Sequence, residues 1–215
     1  YRYFTGHLPR DYQQNHSRPH IFLLPREGDP VLVAVSLSAG DAPRSTWIDD
    51  IRVYHEPLPL EVVRQAVVDA GLGEGRIGAE LGLDQRLMMP QLTFEALRDS
   101  LPRAAFVDAS SLLLGMRAIK SPREIERIKE SARIFSGAIE ACFRSLEEGM
   151  TEEEVSRRLV HLIVGGGAFR PPLYQNIVIT TGGDWRLKFL PPTKKPLRRG
   201  DLIFMDAGCV HRGYW

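Results

Sequence analysis

The sequence predicts an α/β domain with a mixed sheet over residues 1–117, followed by an α+β domain over residues 118–215. Two features point to this arrangement. Through the first half, short apolar runs alternate with helical periodicities, the order that builds a sheet covered by helices. Beyond Ala118 the pattern changes to capped amphipathic stretches followed by strand-like runs. With 43% hydrophobic and 26% charged residues, the composition suffices for packed cores and argues against disorder.

"YRYFTG" (1–6) reads as a strand already under way, and neither an initiator Met nor a signal peptide precedes it. The chain is therefore expected to lack sequence at its start. "HIFLLP" (20–25) and "PVLVAVS" (30–36), joined by the turn-forming "REGD", predict a β-hairpin, and "IDDIRVY" (48–54) a third strand. "LPLEVVRQAVVDAGL" (58–72) sets Leu60, Val63, Val67 and Ala70 on one helical face before Gly71 and Gly73. "RIGAE" (76–80) is a short strand and "LTFEALRDSLP" (92–102) a helix. "AAFVDAS" (104–110) is a further strand, and "SLLLGMR" a short helix after it.

At Ser121 a capping box begins, with Pro122 suited to the first helical position and Glu124 as the reciprocal partner. Ile125, Ile128, Ala132, Phe135, Ile139, Cys142 and Leu146 then predict the apolar face of the longest helix, which Gly149 closes. Thr151 and Glu154 repeat the box for a second helix, with Val155, Leu159 and Leu162 inward and "GGG" (165–167) as its stop. "NIVITTG" (176–182) and "DLIFMDAG" (201–208) are strands.

A net charge of +1 leaves no electrostatic case for nucleic acid or an anionic membrane as partner. "KSPREIERIK" (120–129) alternates sign as a solvated helix face does. The two cysteines, Cys142 and Cys209, supply no disulfide framework and fit a reducing, cytoplasmic compartment, where both read as small core residues. No apolar run approaches the roughly 18 residues that span a bilayer. Phosphate-binding glycine motifs and internal repeats are lacking, and no Ser/His/Asp or Cys/His nucleophile arrangement can be assembled from local motifs.

Asp206 stands out, a carboxylate inside the apolar run "LIFMD" with Ala207–Gly208 beyond it to allow a bend. Burial there would cost heavily unless the acid is paired or bound to metal, or is satisfied by turn amides.

Several stretches carry a resemblance that covers essentially the whole chain in order. They are "KSPREIERIKESARI" (120–134), "GMTEEEV" (149–155) and "PTKKPLRRGDLIFMDAGCVHRGY" (192–214), with "YFTGHL", "RPHIFLLPREGDPVLV", "RIGAE" and "RAIKSP" in the first half. The chain resembles the creatinase/Xaa-Pro aminopeptidase family of pita-bread metallohydrolases. That resemblance implies a creatinase-type N-terminal domain at 1–117 and the N-terminal part of a pita-bread catalytic domain at 118–215. Asp206 matches the first aspartate of the family's D-x-G segment, a metal ligand. A second Asp, a His and two Glu complete the family's ligand set, and all would fall past Trp215. The resemblance thus implies a full-length hydrolase that cleaves Xaa-Pro bonds with a metal-activated water, and an inactive fragment here. It also implies two divalent ions (Mn, Co or Zn), a peptide or small-molecule substrate and a homodimer. Carboxylate-rich sites suit such hard or borderline cations, which lower the pKa of a bound water.

The match departs at one position. Family members that cleave Xaa-Pro bonds carry a His where this sequence has Phe189, and the flanking Pro192, Thr193, Leu197 and Gly200 keep the register. A phenyl group neither donates a hydrogen bond nor shuttles a proton, so no catalytic residue is assigned with certainty. Two alternatives follow: a creatinase-like hydrolase of a small non-peptide C–N substrate, or a non-catalytic pita-bread binding protein. His7 is a weak substrate-binding candidate, because in the family this region can reach a neighbouring subunit's site. His211 is expected in a surface hairpin turn and His161 on the second helix, while no motif in the sequence assigns a role to His16, His20 or His55.

Overall fold

A computed structural model of the chain describes residues 1–9, 18–83, 87–168, 178–186 and 190–215. The chain divides into two compact units, Tyr1–Ala118 and Ile119–Trp215.

The first unit opens on a helical turn, α1 (Arg2–Thr5), where the sequence pattern suggests a strand. The reason is Gly6, which adopts the left-handed conformation at φ 74° and donates its N–H to Arg2 O, closing the turn as a C-cap. β1 (Ile21–Leu23) and β2 (Val31–Val35) form the expected hairpin, antiparallel with Ile21 opposite Val33 and Leu23 opposite Val31. After α2 (Ala42–Ser45), β3 (Asp50–Tyr54) joins β2 in parallel, so the sheet is mixed, in the order β1-β2-β3. All five residues of β2 are buried, as befits a central strand covered on both faces.

α3 (Leu60–Asp69) lays Val63, Ala66 and Val67 on the core. β4 (Arg76–Ala79), α4 (Gln91–Asp99) and β5 (Ala105–Asp108) form a strand–helix–strand unit with parallel strands, and α5 (Ser110–Ala118) follows. Hydrogen bonding separates β4–β5 from the three-stranded sheet, but the apolar core does not. Leu23, Val33, Val35, Tyr54, Val67 and Leu97 cluster together, with Ile77 and Phe106 packed against them. Each such side chain fully removed from water contributes about 1.5–3 kcal/mol.

In the second unit, α6 (Pro122–Arg144) and α7 (Glu152–Gly165) both start with complete capping boxes, Ser121 with Glu124 and Thr151 with Glu154. The buried face of α6 is rotated from the expected one. Ser131, Ile134, Ala138 and Cys142 are its buried residues, whereas Ile125 is 42% exposed and Ala132 lies in solvent. Phe135 and Ile139 are half-buried at the stripe's edge. Small residues at 138 and 142 sit where the core receives Val155, Leu159 and Ile163 of α7, and a size-blind apolar count favours the bulkier neighbouring row. β6 (Val178–Thr181) and β7 (Ile203–Asp206) complete the unit as an antiparallel pair.

Ile119, between α5 and α6, is 84% exposed and Lys120 follows it in solvent. Limited trypsin digestion is expected to cut after Lys120 earlier than at any Lys or Arg inside α3 or α6. First cleavage within α6 would show that this connection is not the weak point between the units.

Candidate functional site

β7 delivers Asp206. Along this strand Ile203 and Met205 pack against the core of the second unit, and alternation turns Phe204 and Asp206 the other way. Asp206 sits opposite Val178 at the end of the β6–β7 ladder. Its side chain is exposed, not buried as the apolar run suggests, because the pleat turns it away from the face that carries Ile203 and Met205. The carboxylate makes no hydrogen bond or ion pair with the described residues and is free to accept a ligand.

The strand's end is held from two sides. Ser131 Oγ of α6 donates to Cys209 O at 3.0 Å, and the Cys209 thiol returns to Ser131 O at 3.3 Å. Past it, His211 and Tyr214 exchange backbone hydrogen bonds of 2.9 and 3.0 Å around Arg212 and Gly213, both at positive φ, as a tight hairpin turn requires. His211 Nδ1 lies 2.9 Å from Gly167 O beyond α7, and the Arg127 guanidinium lies over the Tyr214 ring at 5.8 Å. Gly208 is needed for closeness: a Cβ there would lie 2.6 Å from Cζ2 of Trp215.

On the other side is a residue the sequence pattern does not single out. Glu152, first in α7, is only 3% exposed. Its Oε1 accepts from Thr181 Oγ1 at 2.9 Å, and its Oε2 from the Thr193 amide at 3.0 Å and hydroxyl at 2.6 Å. One carboxylate thereby ties the start of α7 to the last residue of β6 and to the segment leading into β7. Lys195 adds to the tie, with Nζ 2.6 Å from both Thr181 O and Asp184. Three glutamates in a row at a helix start disclose that one side chain turns inward only when the strand-end threonines are known.

His7 belongs to the first unit and is 1% exposed, with Nδ1 2.6 Å from Ser45 Oγ. Burial pushes its pKa below the ordinary value, partly opposed by Asp41. A role at a substrate would require the ring to leave this pocket. Phe189 lies outside the described residues, as does His16. His211 stands in the turn expected of it. Cys142 and Cys209 are both buried, and burial pushes the Cys142 thiol up.

A metal centre needs several ligands converging on one point, and among the described residues no group of three or more His, Cys, Asp and Glu does so. Asp206 suits a divalent cation as a free strand-end carboxylate, but the described residues do not by themselves make a dinuclear site. Among them no helix is long and apolar enough to cross a membrane. An open cleft of about 510 Å³ between α6 and the 211–212 turn, lined by Arg123, Arg127 and Arg212 among others, does not include Asp206.

Comparison with known proteins gives this arrangement a context. Residues 1–119 match the family described as creatinase/prolidase N-terminal domain, and residues 126–215 match metallopeptidase family M24. An ectoine hydrolase of Halomonas elongata is 27% identical over 209 residues, covering 89% of this chain and 52% of that protein. A Xaa-Pro dipeptidase of Pyrococcus horikoshii is 28% identical over 134 residues, covering 62% and 37%. The crystal structure of a prolidase from Thermococcus sibiricus superposes with a TM-score of 0.81 at 19% identity, covering 98% of this chain and 55% of that one. The chain spans about half the length of the curated relatives it matches. The fold is thus an N-terminal α/β domain followed by part of a pita-bread domain.

Proposed function

The chain belongs to the creatinase/prolidase family, with its second half in metallopeptidase family M24, and on that premise we propose that the whole protein is a metal-dependent hydrolase that cleaves Xaa-Pro bonds. In this reading residues 1–117 are the creatinase-type N-terminal domain, residues 118–215 belong to the catalytic domain, and Asp206 is one ligand of a pair of divalent ions, Mn, Co or Zn. The protein acts in the cytoplasm as a homodimer. The observation that supports it is the unengaged, exposed carboxylate at the end of β7, at the position of the family's first metal-binding aspartate. When bound, such ions supply an activated water and polarise a carbonyl. What this chain supplies is position: Ser131, bonded to Cys209, and Glu152, bonded to Thr181 and Thr193, hold the strand that presents Asp206.

A second reading has its own support. Phe189 stands where Xaa-Pro-cleaving members carry a His, and the ectoine hydrolase relative covers 89% of this chain. Both support a small non-peptide C–N substrate as the alternative, although a Xaa-Pro dipeptidase relative covers 99% of this chain. The test is turnover by the whole protein, with Mn²⁺ present, of a Xaa-Pro dipeptide, of ectoine and of creatine. Hydrolysis of the dipeptide is the expected result. Turnover of ectoine or creatine alone would move the assignment to the second reading. Bound metal without turnover of any of the three would count against both, and a protein free of metal and activity would leave a binding role.

A further inference from the structure

The first residues of the chain are tied to the segment entering β3 at three points. Thr46 Oγ1 donates to Thr5 O at 2.7 Å, and Trp47 Nε1 donates to Phe4 O at 2.8 Å. The third link is His7 Nδ1 to Ser45 Oγ at 2.6 Å. Thr5 is the buried residue of α1, Phe4 stacks on Phe22 with ring centroids 6.0 Å apart, and Tyr1, just ahead of the helix, packs against Leu32, Ala42 and Ile48. Two of the three links involve groups that do not titrate. The third does.

Its chemistry is directional. The Ser45 hydroxyl donates to Asp41 O at 2.8 Å, so it receives the link from His7, whose Nδ1 carries the proton. The Nε2 lone pair is then left inside the protein, and Nε2 has no hydrogen-bond partner among the described residues. A second proton would create a cation that is 1% exposed, with a buried N–H lacking an acceptor. Among the described residues, few groups face the ring. Asp41, just ahead of α2, favours the charged form, and the Tyr1 ring stands edge-on at 6.3 Å. The His20 ring lies 6.2 Å away and is itself 6% exposed, so a charge there would oppose one on His7. Burial outweighs Asp41 and pushes the pKa of His7 down.

We propose that His7 is the pH-sensitive member of a latch. Neutral, it holds residues 1–8 against the segment 41–47; protonated, it releases them while the β1–β2–β3 sheet stays folded. The ordinary histidine value is 6.5 and the folded-state value lies below it, so protonation favours the released form. The latch is complete above that ordinary value and is lost as pH falls from there through the folded value.

Amide hydrogen exchange in the whole protein, corrected for intrinsic rates, reads the latch directly. The Thr5 and Gly6 amides bond to Tyr1 O and Arg2 O, and the His7 amide to Thr5 Oγ1. Their protection is expected to fall by up to about tenfold per pH unit below roughly pH 6.5, while the β2 amides keep theirs. His7→Gln retains an N–H for Ser45 but does not titrate, so its response should be flat; His20→Gln should keep the slope. A flat wild-type response, an unchanged slope in His7→Gln, a slope lost in His20→Gln alone, or β2 protection lost in step would each overturn the latch. Should His7→Gln fail to fold, the NMR titration of the His7 ring in the wild type decides. A midpoint at or above 6.5 overturns the proposal, and one below it that matches the onset of exchange supports it.

Discussion

Asp206→Asn in the whole protein is expected to lower hydrolytic turnover by more than about 100-fold, since even outer-sphere partners of metal ligands cost 10–100-fold when changed. The amide keeps the shape of the side chain but removes one anionic charge from a site that must neutralise two dications, and amide oxygen is a poorer ligand than carboxylate. The fold should hold. Asp206 is exposed and engages no described residue, so the substitution is expected to change stability by no more than about 0.5 kcal/mol. The apolar run around it suggests instead that neutralising a buried acid would stabilise the chain, and the strand's pleat removes that expectation. Metal content by mass spectrometry, beside turnover and a denaturation curve, separates the two effects. An Asn variant that retains two ions and normal turnover would sink the ligand assignment. One that unfolds would show that Asp206 has a structural partner outside the described residues.

What could be read from the sequence was local. Ser121–Glu124 and Thr151–Glu154 are contacts three residues apart, so the two capping boxes follow from spacing alone, and both are present. The β1–β2 hairpin likewise follows from two apolar runs and the turn between them. Apart from the local Gly6 cap, the failures involve contacts distant in sequence. Whether "YRYFTG" becomes a strand or a turn of helix depends on Gly6 and on Thr46 and Trp47, some forty positions away. The face of α6 that is buried depends on which row meets Val155, Leu159 and Ile163. The sheet's hydrogen bonding is interrupted between β3 and β4, although the core runs through, and periodicity has no access to that break. For the site, the motif located Asp206 correctly in a strand, but its exposure was set by the pleat and its support by Glu152 and Ser131.

Glu152→Ala is expected to be the most destabilising single change among the polar residues of the second unit, at about 3–5 kcal/mol. A carboxylate 3% exposed is costly to bury, and here three hydrogen bonds from two threonines offset that cost. Its place in the first turn of α7 adds the favourable end of the helix dipole. Alanine removes all of this and leaves the Thr181 hydroxyl buried without its acceptor, since Thr181 is 0% exposed. Gln keeps the shape and one acceptor oxygen but loses the charge, so its cost should be smaller, about 1–2 kcal/mol. Glu154→Ala breaks only the exposed capping box and should be milder still. Urea denaturation of the three variants gives the order directly from their midpoints. Equal midpoints for Glu152→Ala and Glu154→Ala would mean that the contacts of Glu152 with Thr181 and Thr193 contribute nothing. The tie matters beyond stability, because Thr181 ends the strand whose other end, Val178, pairs with Asp206. Loosening Glu152 should therefore also lower turnover in the whole protein at temperatures where the variant remains folded, and an undiminished rate there would separate the tie from the site.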